Sequence, residues 1–271
     1  MLHAADIEMR LLLEAVYAKY SHDFRDYSGA SLKRRVQHAL LQFGCETISQ
    51  LQSKVLHDPH AFQQLLEILT IPFTEMFRDP GYWLALRQLV VPLLRTYPSL
   101  KVWVAGCATG EEVFSLAILL QEEGLLERTI LYATDINPLA LEKARQGIFP
   151  IVSVRQHTAN YQAAGGTGAF SDYYSAAYNA VRFDPALLRH VTFADHSLAT
   201  DTVFSETHLI SCRNVLIYFN RNLQDRALGL FHDSLCHRGF LGIGSKESLD
   251  FSTYAGKFEA VARRERIFRK R

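Results

Sequence analysis

Three segments carry side chains whose types and spacing could do chemistry. In the first, Val102–Gly110 (VWVAGCATG), a β-rich run ends in a glycine loop and gives way to a helix beginning at Glu111 and Glu112. Glycines at such a place let a ligand approach the backbone at the C-terminal end of a strand. The next β-rich run ends in Asp135, 24 residues after Glu111, where an acid hydrogen-bonds both hydroxyls of a ribose. Loop and acid together imply an adenosine-type ligand; the loop alone also fits a tight turn with a helix cap. A dinucleotide wants GxGxxG and an electropositive helix end for its pyrophosphate. Here Gly106-x-x-x-Gly110 runs straight into two carboxylates, which repel phosphate and suit a cationic ligand. S-adenosylmethionine, with an adenosine, a sulfonium, an ammonium and no phosphate, meets that description.

The second segment is Thr70–Pro80 (TIPFTEMFRDP), in which Thr74, Arg78 and Asp79 could line a cleft. Its bland alternative is a linker stiffened by Pro72 and Pro80. The third is Cys212–Asn220 (CRNVLIYFN). Arg213 and Asn214 fall where a strand ends, on the ligand side of a parallel sheet, and Tyr218 follows; the packing alternative for Tyr218 is a core tyrosine. A fourth feature is electrostatic. Lys33, Arg34 and Arg35, with Arg25 and His38 nearby, form the densest basic cluster before residue 100. Helical spacing puts Arg34 and His38 on one face, with Leu32, Val36 and Phe43 pointing the other way, so the basic face is expected to look outward. A solvated helix face is the alternative.

The elements that must hold these groups follow from periodicity. Residues 4 to about 70 read as helices: Ile7, Leu11, Leu12, Ala15 and Val16 recur at helical spacing, as do Leu32, Val36, Ala39, Leu40 and Phe43. Ser31 is expected to cap the second helix and Gly44 to end it. Thr47–Leu56 and Ala61–Leu69 read as two more, with Asp58-Pro59 between them. After residue 100 the pattern becomes strand–helix alternation: strands at 100–106, 129–136, 208–214 and 239–244, and helices at 111–124, 137–147 and 223–236. That spacing means a parallel sheet with helices on both faces. Residues 157–187 break it. Gly165, Gly166 and Gly168, followed by Phe170, Tyr173, Tyr174, Tyr178 and Phe183, suggest a β-hairpin insert that projects from the domain.

Composition bounds the rest. The 271 residues are 48% hydrophobic and 21% charged, with 17 Phe and 12 Tyr, the mix of a globular chain with a real core and not of a disordered, collagenous or coiled-coil one. A net charge of +1 supplies no global field for gripping nucleic acid or an anionic membrane. The N-terminus lacks the apolar region of a signal peptide, and no apolar run reaches the roughly 20 residues of a spanning helix. Cys45, Cys107, Cys212 and Cys236 form no CxxC pair. That argues against a structural zinc site and for reduced thiols in the cytoplasm; no metal is expected.

Taken together, Thr74–Asp79 (TEMFRD), Ala108–Glu112 (ATGEE), Ala133–Ile136 (ATDI) and Cys212–Phe219 (CRNVLIYF) resemble, in order and spacing, the chemotaxis receptor methyltransferases of the CheR family. The likeness covers nearly the whole chain, and the CRNVLIYF segment is its most specific part. It implies an α/β, Rossmann-like S-adenosylmethionine-dependent methyltransferase sheet over 79–271. A small all-helical substrate-recognition domain would occupy 1–78 and the β-hairpin insert 157–187. It implies methyl esterification of glutamate side chains on the cytoplasmic helices of methyl-accepting receptors, by a monomer using S-adenosylmethionine and releasing S-adenosylhomocysteine. Cofactor contacts are implied at Thr74, Arg78, Glu112, Asp135, Ser197, Leu198, Arg213 and Asn214. Active-site roles are implied at Arg78 and Tyr218, and Lys33, Arg34 and Arg35 would suit an acidic receptor helix. The chain departs from the family pattern at Pro72 (usually Asn), at Met76 in place of the first Phe of FFR, at Ser197 (usually Asn) and at Gly244-Ser-Lys-Glu247 (often Gly-His-Ser-Glu). A methyltransferase for another substrate and a silent cofactor-binding regulator remain as alternatives. An NPPY-like motif or a strongly basic surface would favour nucleic acid, and neither is present.

Overall fold

Capping residues punctuate the first seventy positions. The computed structural model describes residues 3–71 and 74–271, and its first four helices are α1 (Ala4–Tyr20), α2 (Gly29–Phe43), α3 (Ile48–His57) and α4 (Pro59–Thr70). Thr47 accepts from the Gln50 N–H at 3.2 Å and starts α3; Asp58 accepts from the His60 N–H at 2.8 Å and starts α4, with Pro59 at the first helical position. Gly44, at φ +59°, ends α2. Ser31 is not the cap: α2 begins at Gly29, and the Ser31 hydroxyl instead accepts from Arg35 Nη2 at 2.9 Å. Leu12, Val16, Phe24, Val36, Ala39, Leu51, Val55, Leu65 and Leu69 are fully buried in one cluster. That core ends at Leu69, and Met76 and Phe77 already pack with the rest of the chain.

The chain next forms α5 (Pro80–Ala85), a π turn at Leu86–Val90 and α6 (Val91–Leu94), a stretch that periodicity did not reveal. Pro92 lacks the N–H that an α-helix would use there, which breaks the 3.6-residue pattern. Then come β1 (Leu100–Ala105), α7 (Glu111–Glu122), β2 (Thr129–Asp135), α8 (Pro138–Gln146), β3 (Ile148–Pro150) and α9 (Val154–Ala163). They are followed by β4 (Tyr174–Ala177), β5 (Ala180–Phe183), β6 (Val191–Asp195), β7 (Thr207–Cys212), α10 (Arg221–Ser234), β8 (Leu235–Ile243), β9 (Phe258–Ala262) and β10 (Ile267–Lys270). The main sheet has seven strands in the order β6-β2-β1-β7-β8-β10-β9. The β6 to β8 part is parallel, and β10 runs antiparallel to both β8 and β9. Val102, Trp103 and Val104 are buried on both faces, as central parallel strands are. This is the expected Rossmann-like α/β sheet beside an all-helical unit. The strand order reverses between β1 and β7, and ligands bind at such a switch point, outside the strands' C-terminal ends.

The insert differs from its expectation in two ways. Its first part is the helix α9, and the hairpin begins only at Tyr174, pairing with β3 into a second, three-stranded sheet. Nor does the segment project freely. Tyr161, Phe170 and Phe183 are buried, with the Tyr161 ring 5.3 Å from Phe77 and the Phe183 ring 5.2 Å from Phe114. Its aromatics face the main core because that is where their large apolar area is removed from water. No helix among the described residues is long and apolar enough to cross a membrane.

A polar knot fastens the insert to the sheet domain. Glu122, at the end of α7, accepts from the Tyr161 and Tyr173 hydroxyls and from the Thr167 N–H and hydroxyl, and it pairs with Arg87. Arg87 also pairs with Glu123 at 3.0 Å and donates to the Ala164 carbonyl at 3.2 Å. The side chains of Arg87 and Glu122 are only 7% and 4% exposed. Arg87→Ala leaves the buried Glu122 carboxylate without its cation, while Glu123 keeps Arg95 at 2.5 Å. The expected loss is about 3 kcal/mol of unfolding free energy, read by urea denaturation; a loss below about 1 kcal/mol would show that the knot does not hold the insert.

Candidate active site

The two central strands deliver their chemistry at the switch point. β2 ends in Asp135, whose carboxylate accepts from the Ala108 N–H at 2.8 Å and the Asn137 N–H at 2.9 Å. One side chain therefore ties the loop after β1 to the start of α8. Burial pushes its pKa above the usual carboxylate value, against the pull of those N–H groups. The loop glycines have a packing reason that spacing alone does not show. A Cβ on Gly106, at φ +73°, would lie 2.5 Å from Val215 Cγ2, and one on Gly110, at φ +97°, would lie 2.8 Å from Ala144 Cβ. The loop is thus pressed against both the segment after β7 and α8.

The two acids opening α7 part company. Glu112 accepts from the Ser211 hydroxyl at 2.6 Å and pairs with Arg213 at 3.3 Å. Glu111 turns inward, where its carboxylate accepts from the Thr109 hydroxyl at 2.6 Å. Arg213, with a side chain 1% exposed, also pairs with Asp79 at 2.9 Å and donates to the Arg78 carbonyl at 2.8 Å. Its guanidinium lies 4.2 Å from the Tyr82 ring centre, and its Nε has no partner among the described residues.

The segment after β7 is gripped from behind and in front. Asn214 sits at φ +61°, in the left-handed region that Asn tolerates. Behind it, the buried Glu247 carboxylate accepts the N–H groups of Gly244 at 2.5 Å and of Asn214 and Ile217 at 3.2 Å. In front, the segment between α1 and α2 pairs with it: the Ser28 N–H donates to the Tyr218 carbonyl at 2.7 Å and the Asn220 N–H to the Asp26 carbonyl at 2.8 Å. Tyr218 is held between these supports, with the Arg35 guanidinium 4.4 Å from its ring centre.

One cavity brings together Thr74, Arg78, Glu112, Asp135, Leu198, Arg213, Asn214 and Tyr218 from the expected set. Ser197 is not among its walls. The Ser197 N–H donates to Asp201 at 2.8 Å and its hydroxyl accepts from the Ala199 N–H at 3.3 Å, so the side chain closes its own turn while His196 and Leu198 line the cavity. The basic cluster on α2 is split. Lys33 pairs with Asp6 of α1 at 2.6 Å, Arg34 lies in an open groove between α2 and α4, and Arg35 is buried and lines both that groove and the cavity. Arg35 stands three residues from Leu32 and four from Ala39, which is the buried face; it never belonged to an outward one. Pro72 lies outside the described residues.

Sequence reasoning missed Tyr27, Leu69, Thr70, Ile71, His196, Val215 and Phe219 as cavity walls. His196 had a usable signal, since it directly follows the β-rich run VTFAD; the helical-domain residues had none. Three non-glycine walls, Ile71, Ala108 and Asn214, hold positive φ values of 42°, 49° and 61°. Left-handed backbone at a β-branched residue such as Ile71 is strain of the kind that collects at functional sites.

The family description "CheR methyltransferase, SAM binding domain" matches residues 72–267, and "CheR methyltransferase, all-alpha domain" matches residues 7–70. The chain is 67% identical over 265 residues to "Putative methyltransferase Cher3" of Pseudomonas putida, a match covering 98% of this chain and 97% of that one. It is 29% identical over 232 residues to a "Chemotaxis protein methyltransferase" of Listeria innocua, 84% of either chain. Against one of Salmonella typhimurium it is 27% identical over 264 residues, 94% of this chain and 87% of that one. The cavity's donor set fits S-adenosylmethionine. It offers the carboxylates Asp135 and Glu112 to hydroxyl and ammonium groups, and the orphaned Nε of Arg213 to an acceptor.

Glu111 supplies a pH test of this architecture. Burial pushes its pKa up to about 7 from an ordinary 4.5. Because the folded value is the higher one, folding favours the protonated form, and stability is lost as pH rises from about 4.5 through about 7. Glu111→Gln keeps an acceptor for Thr109 and removes the charge. The variant is expected to exceed the wild type by on the order of 1–3 kcal/mol at pH 8 and to match it near pH 4.5. Chemical denaturation at both pH values checks this; an equal difference at the two would mean that Glu111 does not titrate with a raised pKa.

Proposed function

Since the chain belongs to the CheR methyltransferase family and its cofactor is S-adenosylmethionine, we propose that it methylates glutamate side-chain carboxylates on the cytoplasmic helices of a chemotaxis-type receptor. The observation that carries this reading is the position of Arg35. It is a buried guanidinium whose Nε is unpaired, stacked on Tyr218, at the place where the open α2/α4 groove meets the cavity. An incoming carboxylate would meet a cation there, in a site with little water. The names of the Listeria and Salmonella relatives support the chemotaxis setting.

The chemistry asks for alignment more than for acid–base help. A glutamate with an ordinary pKa near 4.3 is already ionised at neutral pH. The bond from its oxygen to the methyl carbon forms as the carbon–sulfur bond breaks, the sulfonium becomes a neutral thioether, and no proton moves. The protein must hold oxygen, carbon and sulfur in line at about 3 Å and keep water out. In this reading Asp135 takes the ribose hydroxyls and Glu112 the ammonium. Thr74, Arg78, Arg213 and Asn214 hold the amino-acid end. Leu198 packs on the adenosyl part, with the Ser197 turn behind it. Arg35 and Arg78 draw the substrate carboxylate in, and Tyr218 orients its attacking oxygen. Arg34, with His38, would face an acidic helix along the groove; Lys33, turned to Asp6, has no part in that surface.

The test uses purified protein, S-adenosylmethionine carrying a tritiated methyl group and a soluble receptor signalling fragment. Glutamate methyl esters release volatile methanol in base, whereas N-methyl groups do not, and base-stable label would sink the ester reading. Tyr218→Phe keeps the ring and is expected to lower kcat about tenfold to a hundredfold with the affinity for S-adenosylhomocysteine unchanged; wild-type turnover would return Tyr218 to a packing role. Arg34→Glu is expected to raise KM for the receptor several-fold at low salt, an effect that fades as salt rises because an exposed pair is worth only about 0.2–1 kcal/mol.

A further inference from the structure

The helical domain reaches into the cavity at a second residue besides Arg35. Tyr27 lies on the segment joining α1 to α2, and this segment is locked to the loop carrying Tyr218. Tyr27 and Phe219 form an antiparallel bridge, with the Ser28–Tyr218 and Asn220–Asp26 backbone hydrogen bonds on either side. The Asn220 side-chain amide adds a bond to the Asp26 carboxylate at 2.8 Å. The Tyr27 ring is then fixed by edge contacts to Phe24 at 4.8 Å and Phe219 at 4.9 Å. Backbone and ring are both over-determined, so the hydroxyl has little freedom in where it points.

That hydroxyl makes no hydrogen bond among the described residues, although the residue lines the cavity. Burial holds its pKa up, so it is a standing O–H donor. The charged groups acting on it are Asp135, Arg35 and Asp23. It therefore lies within electrostatic reach of the acid assigned to the ribose and of the cation assigned to the substrate. A donor held rigidly in a cavity without a protein acceptor is arranged for a ligand acceptor, because leaving it unpaired once the cavity fills would cost binding free energy.

We propose that Tyr27 is a cofactor-binding residue supplied by the helical domain, its hydroxyl hydrogen-bonding the adenosyl part of S-adenosylmethionine held at Asp135. The inference rests on assigning this cavity to the cofactor. It has a consequence for the order of events. Tyr27 stands on the segment leading into α2, eight residues before Arg35, so a bound cofactor stabilises the placement of α2 that sets Arg35 over Tyr218. Cofactor and acidic substrate then strengthen each other's binding, and by linkage the effect is reciprocal.

Calorimetry on the full chain tests it, with S-adenosylhomocysteine and methylthioadenosine as ligands; the second keeps the adenosyl part and lacks the amino-acid end. Tyr27→Phe preserves the ring and its packing, and the unliganded Tm is expected to stay within about a degree of wild type. The Kd of both ligands should rise by a similar factor, about fivefold to twentyfold, and the ligand-induced rise in Tm should shrink. A Kd within twofold of wild type for both ligands would overturn the proposal, as would a loss confined to S-adenosylhomocysteine, since the contact would then not be to the adenosyl part. Asp135→Ala is the companion measurement. If it too binds like the wild type, the cavity assignment fails, and Tyr27 with it. If it weakens both ligands while Tyr27→Phe does not, only the role of Tyr27 is lost.

Discussion

One buried guanidinium sets the geometry on which the site depends. Arg213 leaves the end of β7, lies against the Tyr82 ring and reaches the Arg78 carbonyl, the Asp79 carboxylate and Glu112 at once. It thereby joins the segment before α5, the first turn of α7 and the central strand, three elements distant in sequence. A cation with a side chain 1% exposed is tolerable because carboxylates from two of those elements lie against it in a poorly solvated place. The partnership also holds Glu112 at the cavity wall instead of letting it turn away as Glu111 does.

The cavity is closed by a different kind of contact. Between the helical domain and the Tyr218 loop lie backbone hydrogen bonds, an isolated bridge and aromatic rings in edge-to-face contact. Glu247 braces the same loop from the opposite side through N–H groups alone, with no cation beside it. Backbone contacts of this sort are insensitive to side-chain identity on either strand, but they demand a fixed distance between domains. The helical domain therefore shapes the cavity together with the sheet domain. On the other flank, His22 bonds the Ile136 carbonyl at 3.2 Å and Asn137 donates to Thr70 at 3.0 Å, so the domain spans the cavity from the end of β2 to the loop after β7.

Methyl transfer suits such a site. For the carboxylate acceptor proposed above, the nucleophile is already charged and no proton is in play, so the protein has little to gain from a tuned acid or base and much to gain from rigidity. The pKa shifts near the cavity are consistent with this division. Burial is the largest cause of the raised values at Asp135, Glu111 and Glu247 alike, and backbone N–H groups pull Asp135 and Glu247 back towards the ionised form.

Most of the polar groups that line the cavity were legible in the sequence because the chemistry at a switch point comes from short, local signatures. A glycine loop opening a helix, an acid ending the next strand and Arg-Asn after a third strand each read out without knowledge of the rest. The parallel sheet was legible for the same reason: central strands buried on both faces are continuous apolar runs. Three things were decided only in the folded chain. Arg35 looked like one of three surface charges, yet its register with Leu32 and Ala39 turns it inward, where the α4 carbonyl of Leu69, the Ser31 hydroxyl and the Tyr218 ring accommodate it. Ser197 was expected at the ligand, but its hydroxyl closes a local turn and leaves the wall to its neighbours. The insert was expected to stand away from the domain, and the burial of its aromatics draws it in. In each case local spacing determined which element formed and which way it ran. Where the side chains of Arg35 and of the insert ended up depended on partners far away in the chain, as with Arg35 and Tyr218 or Tyr161 and Phe77, and no local periodicity records those.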